Sequence, residues 1–154
     1  MPLQIAVTPG SDLKLLARVS LDGSRWTREL DTIVDTGCAP ALLWPLLPAR
    51  ADGLAIPSHH YYGFGVANGS DLGGWGAVGT VELNDGTSVA SIAQAPMYFC
   101  AKLQSPLLGL ALLFAQIDVE GPAGSDWSLD VLANPVSPMR LYPPQVPPPG
   151  VLRP

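Results

Sequence analysis

A run ending in Thr32-Ile33-Val34 leads into the triplet Asp35-Thr36-Gly37, and after Cys38-Ala39-Pro40 a second apolar run, Ala41-Leu42-Leu43-Trp44, takes over. A carboxylate set between two core-type segments constrains the chain strongly. Both flanks read as buried strands, and the acid sits in a tight turn. Thr36 can hydrogen-bond locally and Gly37 allows close backbone approach or positive φ. A buried carboxylate is costly without a partner, so the question is what pairs with Asp35. Asp and Gly also dominate ordinary turns, so the triplet taken alone reads first as a simple turn at a strand end.

The composition narrows the class. Charged residues are 14% of the 154, against 16 glycines and 17 prolines. Few charges, many turn formers and short apolar runs point to one all-β domain with little helix. A net charge of -5 and scattered Lys and Arg argue against nucleic-acid binding. Cys38 and Cys100 make neither a disulfide framework nor a zinc site, and both read as reduced thiols. Asp52 with His59 and His60 is too sparse for a metal, so no metal or cofactor is expected. The start Met1-Pro2-Leu3-Gln4 has no signal-peptide character, and the apolar stretch from Leu107 to Ile117 is too short to span a bilayer. The expectation is a cytoplasmic protein with no membrane partner.

Lys14 to Leu21 alternates as a strand, Asp22-Gly23-Ser24 turns, and Arg25 to Val34 reads as its hairpin partner. Leu42 to Leu47 reads as a strand stopped by Pro45 and Pro48, followed by loop from 49 to 60. Tyr61 to Gly79 is glycine-rich with Tyr62, Phe64 and Trp75 interspersed. It reads as a hairpin with its tip near Asn68-Gly69-Ser70-Asp71, unable to anchor a core: a floppy surface loop, or a flap closing on a ligand. Val78 to Leu83 and Thr87 to Ala93 form a hairpin around Asn84-Asp85-Gly86, and Met97 to Cys100 is a further buried strand. Leu107-Leu108-Gly109 follows Pro106 and leads into a short helical turn, and Asp118 to Val131 reads as a last hairpin. From Asn134 eight of 21 residues are proline, so 1–133 is the domain and 134–154 an extended tail, either disordered or strapped across a surface.

The order of these parts resembles the retropepsin-like family of aspartic proteases: a hairpin leading to Asp35-Thr36-Gly37, a glycine-rich flap, another hairpin, then Leu107-Leu108-Gly109. The resemblance covers roughly residues 13 to 132 and is nearest to the eukaryotic DNA-damage-inducible type and to pepsin lobes. It implies an all-β fold, a closed barrel or sandwich of short strands with a flap hairpin and one short helix. Leu107, Leu108 and Gly109 would pack beneath the catalytic loop in the crossing called the psi structure. It also implies an aspartic endopeptidase in which Asp35 is catalytic, Thr36 braces it and Gly37 approaches the substrate backbone. With one such triplet per chain, the working site requires a homodimer. A peptide would lie as an added strand beneath a flap around Gly65 to Gly76, contacted by Tyr62, Gly65, Val66, Asn68, Gly69 and Trp75, with hydrophobic residues preferred at the cut bond. The chain departs from viral members at Ala39, Leu110 and Ala111, which removes the usual ionic network of the dimer, and at Cys38, where Ala or Ser is usual.

Other readings compete. One is a catalytically silent retropepsin-like module that dimerises or binds peptides. A second is a cysteine hydrolase using Cys38 with His59 or His60. A third is an unrelated β-barrel binding sugar or protein through Trp26, Trp75 or Trp127.

Overall fold

A computed structural model describes residues 3–7, 14–35, 38, 42–65, 71–84, 86, 89–109, 114–120, 126–132 and 140–154, with 3–7, 114–120 and 126–132 as backbone. Among the described residues, ten strands and one helix follow in order: β1 Leu3–Val7, β2 Lys14–Ser20, β3 Leu30–Val34, β4 Leu42–Pro45, α1 Leu46–Ala51, β5 Tyr61–Gly65, β6 Asp71–Asn84, β7 Val89–Cys100, β8 Leu107–Leu108, β9 Phe114–Glu120 and β10 Asp126–Leu132. The fold is all-β.

The larger sheet runs β2-β3-β8-β4-β7-β6-β5, and a further pairing of β2 with β6 closes its first six strands into a barrel. Closure is possible because β6 is long. Its first residues pair with β5 (Tyr61↔Trp75 to Gly65↔Asp71), and its last five pair with β2 (Ser20↔Thr80 to Leu16↔Asn84). Gly79 stands at the changeover, where a Cβ would strike the carbonyl oxygen of Ser20. Glycine is therefore required there by close backbone approach. Arg18 and Glu82, paired in register across the closing seam, form a 3.0 Å ion pair, and the Arg18 guanidinium lies over the Trp26 ring at 4.7 Å.

The alternation read in the sequence is visible in β2, where Leu15, Ala17 and Val19 enter the core with Leu42, Trp44, Val81, Leu83, Met97, Phe99 and Leu108. Three local expectations change, and a fourth falls outside the described residues. Arg25 to Val34 is not one strand: β3 starts at Leu30, because Thr27 is pinned to Val19 (Thr27 N–H to the Val19 carbonyl, Val19 N–H to Thr27 Oγ1) and Arg28 turns aside to clasp Asp52. Residues 46–51 are helix rather than strand and loop. Pro48 falls in the first helical turn, where no N–H is needed, and Leu46 and Ala49 are buried. The helical turn expected after Pro106 falls on residues 110–113, outside the described residues. The segments read as separate strands before and after residue 94 are one strand, β7, bent at Gln94, whose φ is 55°. β9 and β10 form the expected last hairpin, and β1 adds to β10 to make a separate three-stranded sheet.

Candidate functional site

β3 and β4 are the strands on either side of the Asp35 turn, yet they do not pair with each other. β8 lies between them, parallel to β3 (Ile33↔Leu107, Val34↔Leu108) and antiparallel to β4 (Leu42↔Leu108, Leu43↔Leu107). The insertion is anchored at both ends of β8, since Ile33 N–H donates to the Pro106 carbonyl and Asp35 N–H to the Leu108 carbonyl, each at 2.9 Å. Leu108 is fully buried in the main core, and Gly109 is buried beside it. Two residues of β8 thus fix the backbone from which the carboxylate projects.

Asp35 is half-buried, and its carbonyl accepts the Cys38 N–H at 3.1 Å. Thr36 and Gly37 lie outside the described residues. Cys38 is buried, and burial, helped by the negative charge of Asp35, pushes its thiol up to about 11. Cys100 is pushed to about 12, chiefly by burial and then by Cys38. Thiols held protonated in this way are poor nucleophiles, which weighs against the cysteine-hydrolase reading. The histidines point elsewhere: His60 Nε2–H donates to the Tyr142 carbonyl at 2.7 Å, and His59 and His60 line a cavity of about 530 Å³ with Asp22, Arg25 and Leu141. Among the described residues no group of His, Cys, Asp and Glu could hold a metal.

The glycine-rich stretch forms the hairpin of β5 and β6, with 66–70 as its connection. Val66, Asn68 and Gly69 lie outside the described residues, and Gly65 closes the paired part opposite Asp71. The hairpin's two faces differ. On one, Tyr62, Phe64 and Leu72 join Cys38, Leu43 and Tyr98 in a second apolar cluster, which places Tyr62 on the same side as the Asp35 turn. On the other, Tyr61 and Trp75 meet edge to face at 5.3 Å within the main core. Trp75 is only 2% exposed. Its expected place among substrate-contacting residues is corrected: it is a core residue, and the base of this glycine-rich stretch does anchor a core. Glycines are compatible with that because they make room for the aromatics, as at Gly73, where a Cβ would collide with the Tyr61 phenol.

Of the two readings of the tail, the structure shows the strap over residues 140–154. Residues 140–154 lie on the β5–β6 hairpin, with Tyr142 stacked on Tyr62 at 4.8 Å and Trp75 Nε1–H donating to the Leu152 carbonyl at 2.9 Å. The aromatic residues at alternate positions, Tyr62 and Phe64, were the available signal for a receiving face. No helix among the described residues is long and apolar enough to cross a membrane. Comparison with protein-family models, with curated proteins and with solved structures finds no match.

Proposed function

We propose that the chain is a homodimeric aspartic endopeptidase of retropepsin-like type, with one Asp35 from each copy forming the catalytic pair. The observation that carries the reading is the threading of β8 between β3 and β4, bonded through Leu108 to Asp35 itself. An Asp-Thr-Gly in a plain turn has no need of such support, whereas a carboxylate that must meet a partner across a two-fold axis needs a fixed backbone. The apolar face carrying Tyr62, Phe64 and Leu72 gives an extended peptide hydrophobic contact, which favours cleavage between hydrophobic residues.

Two carboxylates a few ångströms apart hold one proton between them, because both cannot be ionised together. The ionised member takes a proton from a water, whose oxygen attacks the scissile carbonyl carbon. The protonated member donates to the carbonyl oxygen. Collapse of the tetrahedral adduct then breaks the C–N bond as the leaving nitrogen is protonated.

The test compares wild type with Asp35→Asn on a mixed peptide library at mildly acidic pH. Cleavage by wild type that vanishes in the variant supports the reading; equal cleavage by both refutes it. The second reading, a silent peptide-binding module, is favoured by the tail seated beside the Asp35 turn, and a folded wild type that cleaves nothing would select it.

A further inference from the structure

β5 is the outermost strand of the larger sheet among the described residues, so an extended segment can add to its outward N–H and C=O groups. The tail takes up that edge. Gln145 N–H donates to the Tyr61 carbonyl at 2.7 Å, and its side-chain Oε1 accepts the Gly63 N–H at 2.9 Å, so one residue satisfies two edge groups. Three residues earlier, Tyr142 N–H donates to the Tyr98 hydroxyl at 2.6 Å, and the Tyr142 carbonyl accepts from His60. Pro143 and Pro144 between them have no N–H to satisfy. A spacing of three is one turn of polyproline II helix, which brings Tyr142 and Gln145 to one side of an extended strand. Val146, 91% exposed, faces away.

The Tyr142 ring is received by a shaped aromatic surface: stacked on Tyr62 at 4.8 Å and 28°, edge-on to Phe64 at 6.0 Å, and stacked with Tyr98 at 6.3 Å and 25°. Phe64 in turn stands edge-on to Tyr98 at 4.9 Å. Beyond Gln145 the tail passes to the other face of the hairpin, where the Arg153 guanidinium lies over Trp75 at 5.2 Å. These are the elements by which aromatic grooves read proline-rich peptides: stacked rings, hydrogen bonds at spaced non-proline positions, and a ligand already extended.

We propose that this face is a recognition site for extended proline-rich peptides of the pattern aromatic-Pro-Pro-Gln, and that the chain's own Tyr142 to Gln145 is its resident, exchangeable occupant. The inference stands on the tail's contacts and does not depend on catalysis. An outside peptide must displace a tethered competitor, whose effective concentration is on the order of millimolar. Because Tyr62 and Tyr142 both pack against the apolar cluster that contains Cys38, the occupied site adjoins the Asp35 turn, and the tail governs what reaches that face.

The test uses the full chain carrying Asp35→Asn, so that no probe is consumed, and a fluorescent peptide with the sequence of residues 140–154. Anisotropy titration is made on that background and on the same background with Gln145→Pro or Tyr142→Ser in the chain. Gln145→Pro removes both edge hydrogen bonds without touching the barrel core. Loosening the resident tail is expected to tighten peptide binding by about tenfold or more, because the competent fraction rises. A peptide whose own tyrosine is replaced by serine is expected to lose that binding. No gain in either chain variant, no binding to any of the proteins, or equal binding of the serine peptide would overturn the proposal.

Discussion

The Asp35 amide donates to the carbonyl of Leu108, 73 positions later in the chain, at 2.9 Å, so the acid's backbone is held by a neighbouring strand that is remote in sequence. Leu108 also fills the core with a fully buried side chain between Val34 and Leu42. Leu108→Ala is therefore expected to cost about 2–5 kcal/mol in stability, the range for truncating a buried leucine. Peptide cleavage should fall further than the folded fraction does, because the same change loosens the strand that sets Asp35. Chemical denaturation and activity measured on one preparation separate the two effects. A loss of stability below about 1 kcal/mol would contradict the packing described.

Both cysteines should resist alkylation in the native state. With the Cys38 thiol pushed up to about 11 and Cys100 to about 12, almost no thiolate exists at neutral pH. The sign for stability follows from the same shift. Unfolded thiols ionise near their ordinary value of 9.0 while the folded ones stay protonated, so the unfolded state binds fewer protons above that pH. Stability is unaffected below it and falls as pH rises through 9 towards 11 and 12. Tyr98, raised to about 12 chiefly by burial, adds in the same direction. Iodoacetamide labelling at neutral pH, with and without denaturant, and melting temperatures across the alkaline range check both statements.

The backbone makes its own demands at Gln94 and Gly79. Gln94 is exposed with φ 55°, a region that side chains adopt at a cost, so Gln94→Gly should be neutral or stabilising by up to about 1 kcal/mol. Gln94→Val should destabilise by about 1–2 kcal/mol, since a β-branched residue fits positive φ worst. Gly79→Ala forces a methyl against the Ser20 carbonyl and should cost about 1–3 kcal/mol by spreading the barrel seam. Denaturant midpoints of the three variants rank these effects.

Legibility in the sequence followed the kind of force at work. β2, β4 and β8 could be read because alternation or an apolar run reports burial directly, whereas the placing of Leu107-Leu108-Gly109 beneath the Asp35 turn came from the family resemblance alone. The helix was hidden because proline signals a stop, while Pro48 sits in a first turn that tolerates it. β6 and β7 each looked like two segments, since Gly79 and Gln94 interrupt patterns that the ladder carries through a bulge. Trp75 was misplaced because glycines around an aromatic look like flexibility, although here they clear space for it. The tail's docking was least legible: its contacts are backbone hydrogen bonds and ring stacking, which leave no hydrophobic period.

Asp22 should give the turn after β2 an acid-sensitive limb. Its carboxylate accepts the Ser24 N–H at 2.9 Å and the Arg25 N–H at 3.0 Å, and these bonds, led by Arg25, lower its pKa to about 2. A lowered carboxylate stabilises the fold above its ordinary value of 3.8 and loses that contribution as pH falls from there towards 2. Asp22→Asn keeps an acceptor oxygen but has no proton to gain. Its melting temperature should therefore lie below wild type at neutral pH and converge with it near pH 2. A constant gap across that range would exclude the turn carboxylate as the titrating group.

Subunit mixing provides the sharpest check on a pair of Asp35 residues contributed by two copies. A self-contained monomer is indifferent to added Asp35→Asn protein. In a dimer with freely exchanging subunits, each wild-type chain finds a wild-type partner in proportion to the mixture. Adding an equal amount of the variant at fixed wild-type concentration then lowers cleavage to about half, and a threefold excess lowers it to about a quarter. The mixture must stand long enough for exchange, which a labelled subunit can time. A flat response after complete exchange would remove the shared dyad, whatever the state of association. A fall along the expected curve would require that one active centre draws an acid from each chain.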